Sequence, residues 1–168
     1  MSTLCQTHQF RMFINSAWIA FKTIFLYYGY FILVLYWIMQ IFKKISLIIL
    51  ILFYTVAGIN HFYNPQSYYR IIPHYIPYPI LINILAGCFE LLFALLLIFP
   101  KTRSLAAWGI ILMLIAFLPV HINMIGDAPL KLGDLVVTPL LAWVRLVVLQ
   151  PLLILWAWWY IKRWKPSR

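Results

Sequence analysis

A chain of 168 residues that is 65% hydrophobic and only 10% charged is too apolar for a soluble domain, and its length suits one compact membrane domain. Lys and Arg number 13 against three Asp and Glu, a formal net charge of +10. No basic patch with interleaved polar residues accompanies that excess, so it reads as a signal of cytoplasmic loops, and no nucleic-acid partner is expected. The two cysteines, Cys5 and Cys88, fall in a polar tail and an apolar segment, and without a C-x-x-C a dithiol redox centre is not expected.

About 20 apolar residues are needed to cross ~30 Å of hydrocarbon. Five segments reach or approach that length, at about 23–42, 45–62, 79–99, 104–125 and 135–161. The pattern predicts an all-α membrane protein. Its core is a four-helix transmembrane bundle made of the last four segments, and the first adds a hydrophobic N-terminal helix. Residues 1–42 form an extension, 43–164 the membrane domain and 165–168 a basic tail. The first segment is rich in Tyr, Phe and Ile and carries no functional-looking polar residue. Met39 is expected to be the natural start, with residues 1–38 upstream of it.

Lys43-Lys44 separates the first two segments, Lys101-Thr102-Arg103 the third and fourth, and the last is followed by Lys162-Arg163-Trp164-Lys165. The intervening loops carry little positive charge. The positive-inside rule therefore places the three basic clusters and the C-terminus in the cytoplasm, in what is expected to be a bacterial inner membrane. On the opposite side, Asn64 to Tyr78 is rich in tyrosine and broken by Pro73 and Pro77. It predicts a surface-lying or re-entrant lid, with Tyr68, Tyr69, Tyr75 and Tyr78 at the membrane–water boundary.

Polar residues inside the apolar segments mark the candidate site. Glu90, the only Glu, lies eleven residues into its segment and Arg145 ten residues into the last, roughly 16 and 15 Å deep at 1.5 Å per residue. A charge at such depth is costly and faces the protein interior, usually with a partner, so a buried Glu90–Arg145 ion pair is expected. Asn83 shares a helical face with Glu90, with Gly87 between them to admit a close neighbour. Asp134 and Thr138 share a face with Arg145. Asn60, His61, His121 and Asn123 end their segments on the same outer side. His121 and Asn123 point about 200° apart unless Pro119 distorts the backbone. Asn60, His61, Asn83, Glu90, His121, Asn123 and Arg145 thus form a candidate ligand-binding set lining an outward-facing cavity. No metal site is expected, because no His/carboxylate ligand spacing occurs. Gln150 is expected to join two helices, and Trp156-Ala157-Trp158-Trp159 to anchor the last one at the interface.

Several short strings follow one another in order: Ala57-Gly58-Ile59-Asn60-His61-Phe62, Ile72-Pro73-His74-Tyr75-Ile76-Pro77, Ala86-Gly87-Cys88-Phe89-Glu90-Leu91 and Phe99-Pro100-Lys101-Thr102-Arg103. With Phe117-Leu118-Pro119-Val120-His121-Ile122-Asn123-Met124 and Trp143-Val144-Arg145-Leu146, they resemble the DoxX-like family of small membrane proteins over about residues 43–164. The resemblance implies a four-helix membrane bundle. Relatives in that family include a subunit of an archaeal thiosulfate:quinone oxidoreductase and an animal chaperone of nicotinic-receptor assembly, so the fold alone does not supply the function. The cysteine pair expected of quinone-linked thiol oxidoreductases with a similar layout is missing.

Two functions remain open at this level. In one, the protein is a redox-associated subunit binding a quinone- or lipid-like molecule. His61 or His121 would hydrogen-bond a quinone carbonyl, Glu90 would relay a proton, and Arg145 would tune Glu90 or meet an anionic group. In the other, it is a non-enzymatic scaffold or assembly chaperone for a membrane-protein partner or a second copy of itself. Glu90 and Arg145 then only set helix register.

Overall fold

The computed structural model describes residues 3–132 and 135–161. Its elements run in the order α1 (Thr3–Tyr63), α2 (Pro65–Tyr69), α3 (Pro79–Ile98), α4 (Arg103–Ala116), α5 (Leu118–Asp127), β1 (Leu130–Leu132), β2 (Leu135–Val137), α6 (Pro139–Val144), a π-helical turn (Arg145–Leu149) and α7 (Gln150–Trp158). Four helical stretches are long and apolar enough to cross a membrane: Leu26–Tyr63, Pro79–Ile98, Arg103–Asp127 and Pro139–Trp158. The protein is an all-α integral membrane protein. The basic tail from Lys162 onward, and Asp134, lie outside the described residues.

The chain divides into two compact units, Met1–Ser46 and Leu47–Arg168. In the first, Tyr28, Phe31, Trp37 and Phe42 all stand exposed, as side chains meeting lipid would. The expected helices at 23–42 and 45–62 are one element here, and no turn interrupts it at Lys43-Lys44. The physical reason is that Phe42-Lys43-Lys44-Ile45 holds no helix breaker, and lysine is a good helix former. The break comes instead at Asn64-Pro65, because the residue before proline is pushed away from helical angles.

In the second unit, Leu50, Tyr54, Ala94, Leu97, Ala106, Ala107, Ile110, Leu114, Ala157 and Tyr160 share one core. They come from α1, α3, α4 and α7 with the turn that follows it, so the core is where these four helices meet. Small residues are what allows helices to pack closely in lipid, where no hydrophobic force drives them together. Gly58 and Gly87 mark where α1 and α3 come close. A Cβ on Gly87 would stand 2.8 Å from the His61 Cβ, and one on Gly58 would stand 3.1 Å from the Gly87 carbonyl oxygen. Gly109 gives the Phe93 ring its place between α3 and α4 in the same way.

The distribution of side chains is inverted relative to a soluble protein. Large apolar residues such as Leu81, Leu92, Trp108, Leu112, Trp143 and Val147 are exposed, whereas His61, Asn83, Glu90, His121 and Gln150 are buried. Lipid tolerates the first and penalises exposure of the second.

Two spans are interrupted near their polar residues. Pro119 lacks an N–H, and the helix breaks at Phe117 between α4 and α5. Pro151 also lacks one, and the preceding turn widens so that the Gln150 N–H reaches the Arg145 carbonyl. Gln150 joins two helices as expected, its side-chain amide donating to the Leu114 carbonyl.

The last span starts later than the expected 135. Residues 135–137 pair with β1 in a small antiparallel hairpin, Leu132 facing Leu135 and Leu130 facing Val137. The helix begins at Pro139, in the first-turn position proline favours, with the Thr138 hydroxyl accepting from the Leu141 N–H. Thr138 is therefore a helix cap. The expected lid is α2 and the turns after it. Ile71 packs with Met124, Val137 and Ala142, while Tyr75 and Tyr78 face outward.

A polar cluster between the helices

On α1, Tyr54, Gly58 and His61 recur at four- and three-residue intervals, and on α3 so do Asn83, Gly87 and Glu90. Each trio lies along one helical face. The glycines allow the two faces to meet, which brings Tyr54 and His61 against Asn83 and Glu90.

The end of α1 builds the first contact. A helical carbonyl normally accepts from the N–H four residues on, but four residues after His61 stands Pro65, which has none. The Asn83 side-chain N–H takes the orphaned His61 carbonyl at 3.0 Å. That leaves the Asn83 amide oxygen facing His61 Nδ1 at 2.7 Å. His61 Nε2 points at Glu90 Oε2, 3.5 Å away. This is ion-pair distance without hydrogen-bond geometry, and Glu90 Oε2 has no hydrogen-bond partner among the described residues. Neither does the Tyr54 hydroxyl.

Tyr68, from the lid, stacks on His61 with ring centroids 3.8 Å apart and accepts from the Asn60 side chain at 2.8 Å. Of the four lid tyrosines expected at the boundary, Tyr75 and Tyr78 are exposed, while Tyr68 is turned onto His61. Burial pushes its hydroxyl above the usual tyrosine range, against the Asn60 hydrogen bond, which pulls it down.

The expected Glu90–Arg145 ion pair is replaced by two separate contacts: Glu90 faces His61, and Arg145 Nε donates to His121 Nδ1 at 3.3 Å. The hairpin explains the change. With helix starting at Pro139, Arg145 is only six residues in, roughly 9 Å, against roughly 16 Å for Glu90 from Pro79. The two charges still feel each other electrostatically. Arg145 as a residue keeps exposed surface, while its guanidinium lies among the groups that also include Tyr68.

Asn123 does not join the cluster. It bonds Asp127 one turn on, at 2.6 Å, while His121 is buried, so the break before Pro119 does not bring both to one face. The structure thus gathers Asn60, His61, Asn83, Glu90, His121 and Arg145, and adds Tyr54 and Tyr68. Tyr54 was not anticipated. The signal for it was its spacing from Gly58 and His61. Two hollows of about 410 and 390 Å³ lie elsewhere. The second is an apolar groove between α3 and α4 lined by Leu85, Phe89, Phe93 and Leu112 among others. Neither is lined by the cluster, so the expected polar cavity is not among them.

Apolar outside, polar within and spanning by several helices, the chain is a small polytopic membrane protein with a buried polar cluster where α1 meets α3. It belongs to the family described as a domain of unknown function, DUF8561, which matches residues 50–161. That region holds every residue of the cluster. No curated protein and no solved structure matches the chain.

Proposed function

We propose that the cluster is a small-molecule site, taking the oxygen-bearing head of a quinone-like lipophilic molecule, in a redox-associated protein of DoxX type. One observation carries the reading: the Tyr54 hydroxyl and Glu90 Oε2 are buried and without hydrogen-bond partners among the described residues. A network that only fixed helix register would satisfy its members, since an orphaned buried polar group costs about 1–3 kcal/mol. A ligand oxygen that meets both groups offsets that cost. The same observation ranks the ligand reading above a scaffold role.

The proposed setting is a bacterial cytoplasmic membrane with the C-terminus inside, supported by the basic clusters. The test is a titration of the detergent-solubilised protein with a short-tailed benzoquinone, followed by tryptophan fluorescence. Saturable binding that Tyr54→Phe weakens by about tenfold is expected, the worth of one hydrogen bond. An unsaturable, partition-like response would overturn the reading.

A further inference from the structure

Asn83 fixes where the protons are on His61. Its amide must present the N–H side to the His61 carbonyl, since a carbonyl can only accept. The other end is therefore the oxygen, which can only accept too, so His61 Nδ1 carries a hydrogen and donates it. In the neutral ring, Nε2 is then bare. That bare nitrogen faces Glu90 Oε2 at 3.5 Å.

An ionised carboxylate facing a bare imidazole nitrogen sets acceptor against acceptor. One proton between them removes the conflict, whether it sits on Oε2 or on Nε2. A second proton would leave the pair with a net positive charge within electrostatic reach of the Arg145 guanidinium. The other titratable groups facing Glu90 are Tyr54 from α1 and Tyr68 from the lid. Both are hydroxyl donors in the neutral form and supply no charge.

We infer that Glu90 and His61 hold one shared proton, that this proton is a hydrogen-bond donor the site offers a ligand beside the Tyr54 hydroxyl, and that Asn83 is the positioning residue that keeps it there. The role toward a ligand rests on the reading of the cluster as a small-molecule site; the proton count does not. A dyad with one mobile proton serves both members of a carbonyl/hydroxyl pair. A carbonyl oxygen accepts from Glu90 Oε2–H. A hydroxyl donates to His61 Nε2 while the shared proton stays on the carboxyl. The proton count of the dyad is the same in both complexes, so a quinone and its quinol fit one site.

The full chain in detergent, labelled with ¹⁵N-histidine, reads the tautomer directly. Infrared difference spectra between wild type and Glu90→Gln read the carboxylic-acid carbonyl band and its isotope shift in ²H₂O. Near neutral pH the expected result is an Nδ1-protonated His61 with either a protonated Glu90 or an imidazolium–carboxylate pair. An ionised Glu90 beside a neutral His61, or a neutral His61 protonated at Nε2, overturns the inference. Glu90 is the only Glu, so labelling with ¹³C-glutamate assigns its band in wild type whether or not any variant folds. Asn83→Leu, if folded, is expected to add a substantial Nε2-protonated population; an unchanged tautomer overturns the positioning role.

A short-tailed benzoquinone and its quinol supply the ligand arm. Both are expected to bind wild type within about tenfold of each other, and Glu90→Leu, which offers no donor, to lose about tenfold for the quinone, one hydrogen bond's worth. Quinone binding unaltered in a folded Glu90→Leu overturns the donor role. If neither molecule binds while the spectra stand as expected, the ligand reading fails and the shared proton is supported.

Discussion

At the end of α1, Pro65 leaves the His61 carbonyl without a helical donor, and at the end of α3, Pro100 does the same to Leu96. The second case is settled on the spot. The Thr102 hydroxyl donates to the Leu96 carbonyl at 2.7 Å, and Arg103 Nε donates to that of Leu97 at 3.0 Å. The first is settled by Asn83, twenty-two residues away on another helix. A local cap only ends a helix. The distant one also ties that helix end to α3, orients an imidazole and faces it to a carboxyl. Proline in a turn is common, but which donor answers the orphaned carbonyl separates a structural turn from a candidate site.

The contrast breaks most completely at the helix crossing. Gly87→Leu is expected to cost about 3 kcal/mol or more, because the new side chain meets the His61 Cβ and the Phe62 ring. Gly126→Leu, with nothing within 4 Å, is expected to stay within about 0.5 kcal/mol. Unfolding in mixed detergent compares the two, and equal losses would contradict the crossing.

Next comes Asn83→Leu. It leaves a buried carbonyl and an imidazole N–H unanswered, so about 2–6 kcal/mol is expected at about 1–3 kcal/mol per orphaned group. The mirror experiment, Thr102→Val, removes one half-buried hydrogen bond and is expected to cost only about 1 kcal/mol, with quinone affinity unchanged. A Thr102→Val variant that lost quinone binding would erase the distinction between the two turns. The smallest effect belongs to Tyr68. Its hydroxyl titrates higher in the folded protein than in the unfolded chain, so the stability it contributes is present below the free-tyrosine value near ~10 and is lost as pH rises through the folded value. Tyr68→Phe is expected to flatten the alkaline end of the stability curve by a few tenths of a kcal/mol, measured as the difference between the two curves.

Much of this was legible in the residues. Apolar runs located the spans, and the seven-residue spacing of Asn83 and Glu90 placed both on one face with Gly87 between them. Three things were not legible, each for a physical reason. Lys43-Lys44 suggests a turn by charge, but lysine continues a helix and carries its ammonium outward on a long stem. Residues 135–137 are apolar enough to pass for the start of a span, yet they pair with Leu130–Leu132 as a strand, which moves Arg145 nearer its helix start and away from Glu90. Tyr54 lies in an apolar span where tyrosine suggests a lipid boundary, and only its register with Gly58 and His61 assigns it to the interior.

The stacking of Tyr68 over His61 has a practical consequence. The two rings lie 3.8 Å apart and tilt by only 25°, so the ring current of the phenol shields the imidazole protons. If the lid lifts, that shielding disappears and the His61 resonances move downfield, while those of His121 do not. The molecule carries its own magnetic gauge of whether the segment above the cluster is seated, readable without attaching a probe.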